Sequence, residues 1–180
     1  MTKRLTLEEM DQRHWALTPA LASTYKDAAE VCLSRHHQPP VELTLSDNSL
    51  ESHGELSWSL PDDRAFAAWA NTIDATEAGA YGCVIAGVEE LRELFAVHRA
   101  ETGTGVDYYV APAGAGIGDL EDCLRLEISG VDAGNRRDVT TRLLQKIRQA
   151  REGKSSLPAL AGVFGFRAKL LMVRDVPEAT

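Results

Sequence analysis

At 180 residues, 44% hydrophobic and 26% charged, the chain has the size and composition of one globular domain with a full core and no need of disulfide or metal staples. No apolar run approaches the roughly 18 to 20 residues that span a bilayer, and the charged start MTKRLTLEEMDQRHW has no signal-like apolar stretch, so a cytoplasmic protein without a membrane partner is expected. The net charge of −8 is uneven: between Arg136 and Arg174 ten Lys and Arg face two acids, a segment of +8 that leaves −16 for the remainder.

Taken in chain order, Thr18-Pro19 reads as a helix cap followed by proline at the first turn. Leu21, Tyr25, Ala28, Ala29, Cys32 and Leu33 then recur at helical spacing, and the helix should end near His36, before Gln38-Pro39-Pro40. His36 and His37 are adjacent, do not face each other on a helix, and read as its solvated end. VELTLSD (41–47) and GELSWSL (54–60) alternate apolar and polar residues and suggest a hairpin. Asp62 or Asp63 can cap a short helix over 64–71. A second helix is predicted from Thr76 to about Ala100, through Ala80, Val84, Val88, Leu91, Leu94, Phe95 and His98. Gly79, Gly82 and Gly87 each cost that helix about 1 kcal/mol relative to Ala, unless backbone neighbours press close.

A strand over 106–111, a glycine-rich connection and a strand over 122–129 follow. APAGAGIGDLED reads as that connection rather than a phosphate cradle, because a strand and not a helix stands behind it. Asp138 begins a helix reaching about Arg151, stopped by Gly153. Pro158 precedes an apolar stretch over 160–173 that suggests one or two strands bent near Gly165. The fold expected is α/β or α+β: a small mixed sheet flanked by helices, as one domain over 1–180. Within it, 1–40 is an N-terminal helical extension, 41–75 a hairpin and short helix, and 76–174 a core. Cys32, Cys83 and Cys123 are far apart and form no CxxC, which argues against disulfides and a cysteine zinc site.

Two acids sit oddly in this pattern. Asp107 and Glu127 lie in apolar strands, where a half-buried carboxylate needs a partner. By parity Asp107 shares a face with Tyr109, and Glu127 shares one with Arg125 and Ser129. One pairing register buries both apolar sets and brings the two acids together. Such a pair repels unless a cation intervenes, and hard oxygen ligands suit Mg²⁺ or Mn²⁺. The plainer alternative pairs Glu127 with Arg125 or another base on a solvated face and makes Asp107 a cap at the strand's start.

An Asp at a strand start, a Glu about twenty residues on in the next strand, then a basic helix, resembles the PD-(D/E)XK nuclease superfamily over residues 76–174. The resemblance implies a restriction-endonuclease-like core of a helix, a mixed sheet, a helix and a final strand around a magnesium site. Asp107 and Glu127 would be its catalytic metal ligands, with Glu77 of the preceding helix as an extra acid. The family's lysine two residues after the Glu is here Ser129. A lysine moved to the following helix would be Lys146, which lies beside the apolar face of Val139, Leu143, Ile147 and Ala150. The family also places a strand between the first helix and the Asp strand, which the 41–60 hairpin would have to supply.

The function implied is a metal-dependent nuclease, or a degenerate relative that binds nucleic acid, in bacterial DNA processing or defence. Arg137, Arg142, Arg148, Arg151 and Lys154, in the basic 136–174 segment, would bind nucleic acid or a partner. The rival is a non-catalytic protein–protein module or accessory subunit of a bacterial complex. It would dock an acidic partner through the basic helix or form a homo-oligomer through the apolar C-terminal strand. Trp15, Trp58 and Trp69, if exposed, would be its anchors.

Overall fold

The computed structural model describes residues 2–178. It is a mixed α/β protein with an eight-stranded sheet between two helical layers. In chain order the elements are β1 (Lys3–Leu5), α1 (Met10–Arg13), α2 (Pro19–Ser34), β2 (Val41–Asp47), β3 (Leu50–Leu56), α3 (Asp63–Ala68) and α4 (Thr72–Arg92). Then come β4 (Leu94–Arg99), β5 (Tyr108–Pro112), β6 (Leu124–Val131), α5 (Arg136–Glu152), β7 (Ala159–Gly165) and β8 (Leu170–Val176). Across the sheet the strands run β1-β3-β2-β8-β7-β6-β5-β4. The β1/β3, β2/β8 and β6/β7 pairs are parallel and the others antiparallel. Among the described residues no helix is long and apolar enough to cross a membrane.

Alternation along the central strands builds two cores. Leu160, Phe164, Leu126 and Ile128 face α2 and α4. Ala161, Val163, Leu170 and Met172 face Val139 and Leu143 of α5. With both faces covered, β7 is buried along its whole length. The β8 strand lies inside the sheet, between β2 and β7, and residues 170–173 are paired on both sides, so that part of the strand offers no free edge for self-association.

The α4 glycines have the close neighbours expected of them. A Cβ on Gly79 would stand 3.0 Å from the Ala29 backbone of α2, and one on Gly87 would stand 2.0 Å from Leu171 Cδ2. Side-chain removal therefore lets α4 seat directly on α2 and on the sheet. Its span differs from the expected 76–100. The helix starts earlier, where the Asn71 side chain accepts from the backbone N–H groups of Ile73 and Asp74, and it stops at Arg92. Glu93 takes a left-handed conformation (φ 54°), and 94–99 becomes β4. The strand was hidden because Leu91, Leu94, Phe95 and His98 continue the helical spacing. β4 also stands between α4 and β5, so the hairpin is not needed in that place.

Other boundaries moved less. The hairpin partner is 50–56 rather than 54–60, because Asn48 (φ 50°) turns the chain directly after β2. Trp58 falls outside the strand but is buried, its Nε1–H donating to Ser34 Oγ. The α5 helix opens on a capping box between Asn135 and Asp138. His36 and His37 are not a solvated end: His36 Nε2 is 3.0 Å from Asp132 Oδ1 and His37 Nε2 donates to the Phe166 carbonyl, pinning the end of α2 to the loops beyond β6 and β7.

Candidate active site

The β5/β6 ladder pairs Tyr108 with Leu126 and Tyr109 with Arg125. One step further in the same register sets Asp107 opposite Glu127, with Asp107 N–H donating to the Leu126 carbonyl at 2.9 Å. This is the register parity predicted. Both acids line one open cleft of about 610 Å³, walled by the first turns of α4, the end of β6 and the middle of α5. Gly130 lets α4 come close there, since a Cβ on it would stand 2.8 Å from the Thr76 carbonyl oxygen.

Glu127 is 1% exposed. The Lys146 ammonium reaches it from α5, Nζ donating to Oε1 at 2.5 Å and to Gln149 Oε1 at 3.2 Å. Arg125 is not its partner: that guanidinium is buried and donates to the Leu157 and Ala150 carbonyls. Burial first, and then the charge of Asp107, push the Glu127 carboxyl up to about 7; the hydrogen bond and charge of Lys146 offset this only in part.

Asp107 precedes the first ladder pair, where groups from α4, β4 and β6 reach it. Ile128 N–H donates to Oδ2 at 2.7 Å, Tyr81 OH donates to Oδ1 at 2.7 Å, and Arg99 Nη2 lies 3.7 Å from Oδ1. It thus caps the strand, as the plainer alternative held, and also faces the cleft. Tyr81 and Arg99 escaped sequence reading because they sit 26 and 8 residues away on different elements; only the misplaced helix end near Arg99 offered a signal.

The remaining expected residues divide. Glu77 and Ser129 line the same cleft. Glu77 is exposed, and among the described residues no three His, Cys, Asp or Glu side chains are grouped to hold a metal. Arg142 lines the cleft one helical turn from Lys146. Arg137, Arg148 and Arg151 are exposed and fall more than a quarter-turn round α5 from it, and Lys154 lies beyond the helix. The basic residues therefore do not form a single stripe along the cleft. Nor does the acidic half absorb them: of the ten bases in 136–174, only Arg136 (to Glu51) and Lys146 (to Glu127) form ion pairs among the described residues. Of the tryptophans, Trp15 alone is largely exposed; Trp69 Nε1–H donates to Asp27.

The donor set fits a hard divalent cation. Mg²⁺ is commonly held by one or two carboxylates and completes its shell with water. Four carboxylates line the cleft (Glu77, Asp107, Glu127, Asp132) against two bases (Arg142, Lys146), a formal −2 that one such ion cancels. No family model, curated protein or solved structure matches the chain.

Proposed function

We propose that the chain is a metal-dependent phosphodiester hydrolase of the restriction-endonuclease-like type. The observation that carries this reading is the convergence of Asp107, Glu127 and Lys146, from two strands and a helix, in one open cleft. The order α4-β4-β5-β6-α5-β7 supports it, being a helix, a mixed sheet, a helix and a final strand, with β4 in the place the hairpin would have had to fill.

Asp107 and Glu127 would hold Mg²⁺ or Mn²⁺, which when bound supplies an activated water and a Lewis acid for a phosphoryl oxygen. Lys146 sets an ammonium beside Glu127 and orients the water or balances charge on the phosphate. Ser129 leaves the usual lysine position to a hydroxyl, and Lys146 reaches the same acid from α5. Arg142 offers a phosphate contact beside it. Arg137, Arg148, Arg151 and Lys154 would meet more distant backbone.

One observation favours a degenerate nucleic-acid binder instead. Lys146 against Glu127 and Arg99 against Asp107 already pair each acid with a base. The test is cleavage of labelled single- and double-stranded DNA and RNA with Mg²⁺ or Mn²⁺ by wild type, Asp107→Ala, Glu127→Ala and Lys146→Ala. Cleavage by wild type, lost in all three variants, is expected. Equal cleavage by all four rejects the assignment. No cleavage, with a salt-sensitive DNA shift lost on replacing Arg142 and Arg148, selects the degenerate binder.

A further inference from the structure

Behind Asp107 lies a cluster of aromatic and cationic groups that the cleft chemistry does not itself use. Tyr25 and Tyr81 stack at 5.2 Å, Tyr81 meets Tyr108 edge-on at 5.9 Å, and the Tyr25 and Tyr108 hydroxyls are 2.7 Å apart. The Arg99 guanidinium covers the Tyr81 and Tyr108 rings at 4.7 and 4.8 Å. It also donates from Nη2 to the Tyr81 hydroxyl at 3.1 Å.

The direction of this chain of donors is forced. Arginine has no acceptor, so Tyr81 must accept from Arg99 and spend its single hydrogen on Asp107 Oδ1. The Ile128 N–H fixes Oδ2 in the same way. Each Asp107 oxygen therefore has one hydrogen bond from these two donors, while the Glu127 carboxyl also reaches Asp107 and Arg99 Nη2 stands 3.7 Å from Oδ1.

We infer that Tyr81 and Arg99 are positioning residues that fix Asp107 as a cation ligand, Arg99 acting on Asp107 through the Tyr81 hydroxyl. This rests on the nuclease-type reading of the cleft. Outer partners of a metal-ligating carboxylate typically contribute about 10- to 100-fold in affinity. Tyr81→Phe keeps the ring stack and deletes only the donor, so it isolates the effect.

The experiment is calorimetric titration of the full chain with Mn²⁺ alone, with thermal unfolding measured in parallel. Asp107→Ala should abolish the binding heat. Tyr81→Phe and Arg99→Ala should each weaken Mn²⁺ by about tenfold or more. Arg99→Lys, which keeps a donor for the Tyr81 hydroxyl, should recover most of the loss. Where cleavage is measurable, Tyr81→Phe should lower kcat more than it raises KM. Wild-type affinity in both Tyr81→Phe and Arg99→Ala, with Asp107→Ala inactive in binding, overturns the inference and leaves the cleft reading standing. Unchanged Mn²⁺ binding in Asp107→Ala, or none in wild type, overturns both. If Tyr81→Phe fails to fold, the Arg99→Ala and Arg99→Lys pair decides: no loss in the first, or no recovery in the second, overturns the inference.

Discussion

At the end of α4 far from the cleft, Arg92 grips Asp47 through two hydrogen bonds, at 2.8 and 2.6 Å, and reaches Asp175 at 3.1 Å. Asn48 adds another to Asp175 at 2.6 Å. At the cleft, Asp107 and Glu127 also form a pair of carboxylates beside bases. Yet burial works against both Asp175 and Glu127, and the results are opposite. At Asp175 the hydrogen bonds from Asn48 and Arg92 and the charge of Arg92 overcome burial and hold the carboxyl below its usual range. At Glu127 burial is nearly complete, Asp107 adds to it, and Lys146 does not compensate. The Arg92 cluster is saturated with donors and ties β2, β8 and α4 together. The cleft pair has as many bases as acids, Lys146 on Glu127 and Arg99 near Asp107, yet burial and the neighbouring carboxylate keep Glu127 from ionising easily.

The sharpest way to break this contrast is to remove the base from each cluster. Lys146→Ala leaves a buried carboxylate without its donor and should cost about 3 kcal/mol near pH 8 and about half of that near pH 5, where Glu127 takes up a proton, because a native value of about 7 limits the difference to about 1.4 kcal/mol. Urea unfolding at both pH values checks this; an equal loss at each would mean that Glu127 is not the group concerned.

Next in size is the pH slope of Glu127 itself. Its native carboxyl binds a proton more readily than the unfolded one, about 7 against 4.5. The stability it contributes is thus complete below about pH 4.5 and is lost as pH rises through about 7. Relative to Glu127→Gln, the wild type should weaken by up to about 1.4 kcal/mol per pH unit in that window. Saturating Mg²⁺ should flatten the slope. Parallel stability curves for the two proteins would contradict it.

Asp175→Asn should show the smallest effect and the opposite sign. A depressed native value makes the contribution present above the unfolded value and lost as pH falls through the native one. Because this side chain is 57% exposed, the loss near neutral pH should be about 0.5 kcal/mol, vanishing in acid. A loss that grew toward acid would overturn the assignment of this cluster as saturated.

How much of this could be read beforehand depended on whether the physics was local. The register of Asp107 against Glu127 followed from strand parity, since a slip of one residue would have turned both apolar sets outward. Lys146 came from the resemblance, which allows a lysine on the following helix, and its place beside the Val139, Leu143 and Ile147 face let it reach the sheet. The α4 glycines announced a close approach. The end of α4 was not legible, because residues 91–98 satisfy the helical period without a glycine or proline to interrupt it, and only Glu93 in a left-handed conformation divides helix from strand. Tyr81 and Arg99 were not legible because their meeting at Asp107 depends on that division. The ties of His36 and His37 span 96 and 129 residues and leave no trace in the local pattern.

The glycine seats of α4 have a mechanical consequence. This helix of 21 residues is roughly 30 Å long, with Glu77 and Tyr81 near one end and Arg92 at the other. Gly79 fits against Ala29, Gly82 against the Tyr25 backbone and Gly87 against Leu171. Seats at three heights make the helix a keyed shaft, which can neither spin nor slide without driving backbone into side chain. The aim of Tyr81 is then set as much by the notch at Gly87 and the bolt at Arg92 as by anything in the cleft.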